Sequence, residues 1–329
     1  MKSLRFLTGI VVWAWFLSSG AAARAVDISG SPTSTIVIFE DSQLVGDLDC
    51  SEVPSGTSCI QFGADHITLR LNGFTMAGVA DPNLGCTKSS ASTSPKGGEN
   101  GIFTAGHSDL QILGPGLVRD FRGIGVLVDG GAKVKVSKVT TSGNCICGIG
   151  LFPTSSTSGD GNDNDVEDNV VVRIGNTKSP CGGMNISTNN NRVRRNVVGG
   201  NGYDAVAWYG TGPGQNTNLN FGINIAGTEN VVEENVAVGN ANGIVLTPAA
   251  NGDVVRRNII TGNPTLQDSQ TFGAVPAAAA GFDIVNLSPN ANTFDDNLCL
   301  TSNVSGLCPN IPKFPRTEGG DEGDHIESR

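Results

Sequence analysis

Residues 232–240 read VEENVAVGN, and this stretch decides the fold because related strings recur along the second half of the chain. Asn235 and Asn258 hold the same place in successive copies and are 23 residues apart, whereas Asn196 and Asn235 are 39 apart. The spacing therefore predicts a repeat of about 23 residues with insertions of about 16. The copies share the form apolar-x-x-Asn-apolar-x-x-Gly-Asn, with some stretching, and occupy residues 166–176, 193–201, 232–240, 255–263 and 294–303.

A second string, Gly-Ile-x-apolar, follows each copy, as in GINI at 222–225 and GIVL at 243–246. Both strings alternate apolar and polar residues over a few positions, which is typical of short β-strands. If each turn of the chain lies directly above the preceding turn, valine and isoleucine stack inside. Asparagine amides, which both donate and accept, then bond from turn to turn. We therefore predict an all-β solenoid, a single-stranded parallel β-helix of about eight rungs between residues 60 and 305.

The composition agrees with a solenoid and excludes other classes of protein. The chain has 329 residues, of which 45 are glycine, and only 5% are aromatic. Glycine shows no three-residue period, which excludes collagen, and helical spacing is nowhere sustained, which argues against bundles. The formal net charge of −10 argues against nucleic acid and anionic membrane surfaces as partners.

The start of the chain has the pattern of a secretory signal peptide. Lys2 and Arg5 precede an almost entirely apolar run at 6–17, and a small-x-small site ends at Ala25. The apolar run is too short to span a bilayer, and no later stretch is long enough. We expect a monomeric protein that is secreted or periplasmic. The predicted organisation is a signal peptide at 1–25, an N-terminal cap at 26–60, the β-helix at 61–310 and a disordered tail at 311–329.

Secretion makes the eight cysteines interpretable as disulfides. Cys50 and Cys59 close a short loop, as do Cys299 and Cys308, and we predict that each pair is bonded locally. The remaining four allow three pairings, among which the sequence does not choose. These four are Cys86, Cys145, Cys147 and Cys181.

The sequence resembles the right-handed parallel β-helix repeat proteins of the pectin-lyase-like superfamily. The segment GDLDCSEVPSGTSCIQFGADHITLRLNGFTMAG at 46–78 and the repeated Asn and Gly-Ile strings carry the resemblance, which covers roughly residues 40–305. It implies a right-handed solenoid. The superfamily includes polysaccharide lyases and uronate epimerases, together with surface and periplasmic accessory proteins of no known reaction. Signature strings of individual enzymes are absent, because Asp81-Pro82, for example, continues with Asn83-Leu84 rather than His-Asp. Whether the chain is an enzyme stays open.

Insertions concentrate at one corner of the predicted turn, between the Asn string and the Gly-Ile string, at residues 79–100, 177–182, 202–221 and 264–280. Insertions on one face of a repeat protein often build its binding surface. Residues 202–221 hold both tyrosines and the only tryptophan that follows the signal segment. Aromatic faces stack on sugar rings, although these residues could instead pack the insertion onto the solenoid. The candidate substrate-binding residues are Tyr203, Asp204, Trp208 and Tyr209.

Polar residues on the Gly-Ile strands are a second group of candidates. Alternation predicts that Asn185, Asn224 and Asp283 point outward as a polar row beside the aromatic insertion. A solvated face is the alternative interpretation. His66 and His107 are the only histidines before the tail, and we interpret each as structural or solvated.

Calcium is the one cofactor that the sequence suggests. Residues 160–168 read DGNDNDVED, in which Asp160, Asp163 and Asp165 offer oxygen ligands. The segment lacks the glycine and the closing glutamate of an EF-hand loop, so an ordinary polar corner loop is the alternative.

Paired charges alternate in sign at the same place in successive copies, which predicts a cross-rung ladder of salt bridges. The pairs are Arg194-Arg195, Glu233-Glu234, Arg256-Arg257 and Asp295-Asp296. For the whole chain we predict a secreted protein that binds an extracellular polysaccharide along the insertion-bearing edge, with lyase or epimerase action as the chemistry to test. The alternative is a non-catalytic surface or structural solenoid, or a periplasmic accessory protein.

Overall fold

The computed structural model describes residues 24–79, 100–154, 161–174, 182–201, 221–240, 242–263 and 281–308. The segment before residue 24 and the predicted tail lie outside these ranges. Within them the chain forms strands and turns, and no helix there is long and apolar enough to cross a membrane.

The described residues form 25 short strands. In chain order they are β1 (Val26–Gly30), β2 (Ile36–Ile38), β3 (Ser42–Asp49), β4 (Ser58–Phe62), β5 (Thr68–Arg70), β6 (Thr75–Ala77), β7 (Asn100–Phe103), β8 (Gln111–Arg119), β9 (Ile124–Asp129), β10 (Lys135–Ser142), β11 (Cys147–Phe152), β12 (Asp165–Glu167), β13 (Val170–Val172), β14 (Met184–Ile186), β15 (Arg192–Arg194), β16 (Val197–Gly199), β17 (Phe221–Ile225), β18 (Val231–Glu233), β19 (Val236–Val238), β20 (Asn242–Leu246), β21 (Val254–Arg256), β22 (Ile259–Thr261), β23 (Ile284–Asn286), β24 (Thr293–Asp295) and β25 (Leu298–Cys299).

The strands stack into two sheets in which each strand pairs in parallel with its equivalent in the next turn. Sheet A has two columns, β12-β15-β18-β21-β24 (column 1) and β13-β16-β19-β22-β25 (column 2), while β8 and β10 are long enough to span both. Sheet B is the nine-stranded order β2-β4-β7-β9-β11-β14-β17-β20-β23. One turn is thus a column 1 strand, a column 2 strand and a sheet B strand. The predicted parallel β-helix is confirmed.

The pairing starts earlier in the chain than the sequence count, which began at residue 60. β2 pairs with β4, and β3 pairs with both β5 and β6. The segment assigned to an N-terminal cap therefore contributes strands to both sheets. A capping role for these first strands stays a prediction.

The core runs through the solenoid as three stacks of aliphatic side chains, because alternate residues of each strand point inward. All members of the stacks are fully buried, and burial of each valine, isoleucine or methionine side chain contributes about 1.5–3 kcal/mol. The stacks are Val166, Val193, Val232 and Val255 in column 1; Val171, Val198, Ala237 and Ile260 in column 2; and Ile149, Met184, Ile223, Ile244 and Ile284 in sheet B.

Buried asparagines form hydrogen-bonded ladders at the corners of the solenoid. In the ladder between the two columns, the backbone N–H and the Nδ2 of Asn196 both donate to Oδ1 of Asn235, each at 2.9 Å. Asn235 repeats this pattern on Asn258. Because one amide donates and accepts at once, an asparagine satisfies both neighbours at every rung. The ladders are Asn164, Asn191, Asn230, Asp253 and Asn292 before column 1; Asn169, Asn196, Asn235, Asn258 and Asn297 between the columns; and Asn201, Asn240 and Asn263 after column 2.

The predicted salt-bridge ladder is confirmed in part on the outer face of column 1, because Glu233 and Glu234 pair with Arg256 and Arg257. Arg194 and Arg195 pair instead with Glu167 and Asp168 on the preceding rung, and Asp295 and Asp296 make no ion pair within the described residues. The buried carboxylate of Glu233 lies 2.7–2.8 Å from the nearest guanidinium nitrogens of Arg192, Arg256 and Arg257. Burial alone would raise the pKa of Glu233, but hydrogen bonds from Arg192 and Arg256 outweigh it and lower the pKa. Glu167 likewise contacts Lys135, Arg194 and Arg195. This face is therefore a closed ion-pair network.

The two predicted local disulfides, Cys50–Cys59 and Cys299–Cys308, are both present. Each closes a loop with a sequence separation of 9 residues. Cys145 and Cys147 are also disulfide-bonded, while Cys86 and Cys181 lie outside the described residues.

Candidate functional site

The insertions predicted from the sequence share one corner of the solenoid. They join β6 to β7, β13 to β14, β16 to β17 and β22 to β23, which are all connections from column 2 to sheet B. The connections from β10 to β11 and from β19 to β20 are short. Tyr203, Asp204, Trp208 and Tyr209 lie outside the described residues, so their role stays a prediction.

Asn185 and Asn224 occupy equivalent places on β14 and β17. Nδ2 of Asn224 donates to Oδ1 of Asn185 at 2.6 Å, and Nδ2 of Asn185 donates to Ser187 Oγ at 2.7 Å. Both residues are buried, at 3% and 5% exposure, so they do not form an open polar row. Oδ1 of Asn224 has no hydrogen-bond partner within the part of the chain that the structure describes.

Asp283 does not extend this row, because the register predicted for its strand is wrong. Asn224 pairs with Val245, and Val245 pairs with Val285, so Asp283 stands two residues out of register. Its carboxylate accepts from the backbone N–H groups of Leu300 and Thr301 and from Nδ2 of Asn263. Asp283 therefore closes the third ladder and the last turn, because a carboxylate accepts several donors at once.

The candidate calcium ligands are only partly described. Asp163 has a left-handed backbone with φ of 62°, and Asp165 begins β12 with a buried Oδ1. The described residues contain no group of three or more His, Cys, Asp or Glu side chains arranged to hold a metal. Asp160 lies outside them, so the calcium site stays a prediction.

Two His–Asp pairs lie side by side at the turns that lead from sheet B to column 1. His107 Nδ1 is 3.0 Å from Asp65 Oδ1, and His66 Nδ1 is 3.7 Å from Asp109 Oδ2. The turns are tied together because the N–H of His66 donates to the carbonyl of Ser108 at 3.1 Å. The local sequence around each histidine gives no sign that the two lie near each other. The solenoid brings both of them together with carboxylates from the adjacent turn.

The His107–Asp65 pair has the geometry of a carboxylate-oriented imidazole. The backbone N–H of Ser108 donates to the same Asp65 oxygen at 3.0 Å, and this bond, followed by the one from His107, lowers the pKa of Asp65. An ionised carboxylate can only accept, so Nδ1 of His107 carries a hydrogen, and in the neutral imidazole Nε2 is then the nitrogen with the free electron pair. The His107 side chain is 31% exposed, so Nε2 is a candidate proton acceptor.

A shallow groove of about 470 Å³ runs beside these pairs, lined by Asp109, Leu110, Gln111, Lys133 and Lys135. The backbone N–H of Asp109 donates to Ala132, and that of Ala132 donates to Ser108 Oγ, so the lysine-bearing turn stacks directly on the histidine-bearing turn. Lys135 is held by Glu167, whereas Lys133 is exposed. The groove thus presents an exposed lysine together with amide and carboxylate groups, on turns that adjoin the turn carrying His107.

The outer face of sheet B continues from the same turns as a half-buried aromatic surface. Phe152 lies across Gly150, since a Cβ built on that glycine would be 2.4 Å from the ring. Phe152 and Leu127 pack in one apolar cluster outside the main core. Asp129 pairs in register with Phe152, and its backbone N–H donates to Thr104 Oγ1 at 3.0 Å. Burial raises the pKa of Asp129.

These groups make the turns from residue 65 to residue 135 the best described candidate site. The groups present are an imidazole that can accept a proton, an exposed lysine on the adjoining turn and a partly buried aromatic ring on sheet B. The sequence contains one signal for this site. Asp65-His66 and His107-Ser108-Asp109 each follow a sheet B strand by a few residues. Alignment of these strands from turn to turn therefore predicts that the two segments lie next to each other.

Comparison with solved structures finds proteins of similar fold. The chain is similar to the A-module of the mannuronan C-5 epimerase AlgE4 of Azotobacter vinelandii, with 13% identity over 86% of this chain and 88% of that one, and a TM-score of 0.45. No family model and no curated protein matches the sequence. The assignment to the parallel β-helices follows from the strand pairings themselves.

Proposed function

We propose that this chain is a secreted or periplasmic protein that binds an acidic polysaccharide at the turns between sheet B and column 1. The observation that carries the proposal is the oriented His107–Asp65 pair beside the groove that contains Lys133. An exposed ammonium group attracts a uronate carboxylate, and the polar groove wall offers partners for hydroxyl groups.

The proposed chemistry is removal of the proton next to the uronate carboxylate, the step that lyases and epimerases share. Nε2 of His107 is the proposed proton acceptor, since Asp65 holds Nδ1 as a donor. Lys133 would stabilise the negative charge that develops on the carboxylate. The rival proposal is a non-catalytic surface or structural solenoid, which needs neither the imidazole nor the cation.

The insertion-bearing edge extends the proposal to a second binding element. Tyr203, Asp204, Trp208 and Tyr209 are proposed to add an aromatic platform for sugar rings, because aromatic faces stack on them. Trp208→Ala should then weaken glycan binding. An unchanged affinity would remove the platform, but not the groove, from the proposal.

The test is a panel of acidic and neutral polysaccharides, measured for binding and for the absorbance of unsaturated uronate products, with and without Ca²⁺. Epimerisation is followed by NMR of the anomeric protons in the same samples. We expect binding to acidic members only, and loss of any turnover by about 10²-fold or more in His107→Ala. Binding without turnover by either readout would favour the scaffold, and binding to no glycan would refute the proposal.

A matched control for His107 is the other histidine of the site. His66 is 77% exposed, its contact with Asp109 is long at 3.7 Å, and its backbone is left-handed with φ of 62°. His66→Asn tolerates that backbone and should leave turnover within about twofold of the unsubstituted protein if His107 is the base. Equal losses in both variants would argue that the turn, rather than the His107 imidazole, is required.

A further inference from the structure

The asparagine ladder before column 1 contains one carboxyl group, that of Asp253. The backbone N–H and Nδ2 of Asn230 both donate to Asp253 Oδ1, at 2.8 and 3.0 Å. The backbone N–H of Asp253 donates in turn to Oδ1 of Asn292 at 3.0 Å. Asp253 therefore takes the place of an asparagine in the ladder, with its Oδ1 in the accepting position.

The second carboxyl oxygen of Asp253 is the exception in this ladder. In Asn164, Asn191 and Asn230, the Nδ2 at the equivalent position donates to the next rung. Asp253 is fully buried, and its Oδ2 has no hydrogen-bond partner among the described residues. By the repeat of the ladder, Oδ2 faces Oδ1 of Asn292, where an ionised carboxylate would set acceptor against acceptor.

We propose that Asp253 is a proton-dependent link of the solenoid, closed when its Oδ2 carries a proton and donates to Oδ1 of Asn292, and open when it is ionised. The proton restores the donor that an asparagine would supply. The link joins β21 to the last turn, where the N–H of Thr293 at the start of β24 donates to the Asp253 carbonyl at 2.8 Å. Acidification therefore tightens the C-terminal end of the solenoid.

The surroundings of Asp253 favour the protonated form. Burial raises its pKa from 3.8 to about 6, against the lowering effect of the hydrogen bonds from Asn230 and of the nearby backbone N–H of Asn251, and the charge of Glu229 raises it further. Glu229 lies on the preceding turn, close to Gly252. The residues of Asp253's own turn and of the following turn that the structure describes, 251–252 and 288–292, carry no charge.

The direction of the pH effect follows from this raised pKa. The folded chain binds this proton more tightly than the unfolded chain, so stability is greatest below about pH 4 and falls as pH rises toward about 6. Above that pH the contribution is lost. Between about pH 5 and pH 7.5 the folding equilibrium constant should fall about tenfold through Asp253 alone.

The test is equilibrium urea unfolding of the purified protein and of Asp253→Asn at about pH 5 and pH 7.5. Asparagine supplies the missing donor at every pH, so the variant should be more stable than the unsubstituted protein at pH 7.5. The ratio of the two folding equilibrium constants, variant over unsubstituted protein, should be about tenfold smaller at pH 5. Comparison at equal pH cancels the titration of all other groups. A variant that is less stable at pH 7.5, or whose advantage is the same at both pH values, would overturn the proposal.

A second variant places a carboxyl group in the neighbouring ladder. Asn258 donates through Nδ2 to Oδ1 of Asn297 at 2.9 Å and is buried. Asn258→Asp should lower the stability at pH 7.5 and recover part of it at pH 5. If its loss of stability is independent of pH, a ladder carboxyl group does not act as a proton-dependent link, and the proposal fails.

Discussion

At the level of single residues, the carboxylate of Glu233, like that of Glu167, contacts three basic side chains. The Glu233 side chain is only 2% exposed and holds three arginines from two neighbouring rungs. The buried carboxylate and its charged donors stabilise the fold only together, because removal of one partner leaves the charges of the others uncompensated. The alternating charges thus fix the register of column 1.

Glu233→Gln should therefore reduce the free energy of unfolding by about 3 kcal/mol near neutral pH. The pKa of Glu233 is lowered in the folded chain, so its contribution is present above about pH 4 and lost as pH falls further. Denaturant unfolding at several pH values tests both parts. Glu234→Gln is the control, because Glu234 is 44% exposed and its one ion pair among the described residues is with Arg257 at 3.2 Å. The loss for this variant should stay below about 1 kcal/mol. Equal losses would contradict the account of Glu233.

At the scale of elements, the asparagine ladders hold the corners between the columns. Asn235 accepts from the backbone and side chain of Asn196 and donates to Asn258 and to the carbonyl of Val193. Asn297 is the last member of the same ladder, and its Nδ2 donates to the carbonyl of Val255. Removal of an interior member leaves buried donors and acceptors unpaired on both sides.

Asn235→Ala should cost about 3 kcal/mol or more of unfolding free energy, since each unpaired buried group costs about 1–3 kcal/mol. Asn297→Ala should cost less, because only its preceding rung loses the accepting oxygen. Thermal or urea unfolding of the two variants gives the comparison. A larger loss for Asn297→Ala would show that the ladder does not distribute its hydrogen bonds as described.

The Cys50–Cys59 disulfide links β3's end to the strand β4 of sheet B. By the loop-entropy relation, a loop of this length contributes about 2.5 kcal/mol. Replacement of both cysteines by alanine should lower the midpoint of urea unfolding accordingly. An unchanged midpoint would indicate that the first turns are held by strand pairing alone.

Elements were easier to predict from the sequence than the candidate site. Strands, ladders and the salt-bridge network repeat, so each copy supports the interpretation of the others, as Asn196 and Asn235 do. The site does not repeat. His107 and Asp65 are 42 residues apart, and only the register of the turns between sheet B and column 1 brings them together. For Asp283 the sequence predicts a place beside Asn224 that the structure does not show. A local strand pattern cannot reveal a two-residue shift in strand pairing.

At the level of the whole molecule, the protein is a solenoid in which the buried core and the ion pairs of column 1 stabilise the fold. The surfaces that we propose for recognition are the turns between sheet B and column 1, the adjoining half-buried face of sheet B, and the insertion-bearing edge. The groove beside His107 lies on a chain with a formal net charge of −10. An acidic ligand must therefore be attracted locally by the exposed lysine, which makes the position of that charge decisive.

The most direct test of the central claim is calorimetric titration of acidic oligosaccharides into the unsubstituted protein, Lys133→Asn and Lys138→Asn. Both lysines are exposed and have left-handed backbones, with φ of 55° and 60°, but only Lys133 lines the groove. Asparagine tolerates that backbone, so the two variants are matched. We expect about tenfold weaker binding or more for Lys133→Asn and unchanged binding for Lys138→Asn. Equal affinities for all three proteins, or no binding by any of them, would contradict the central claim.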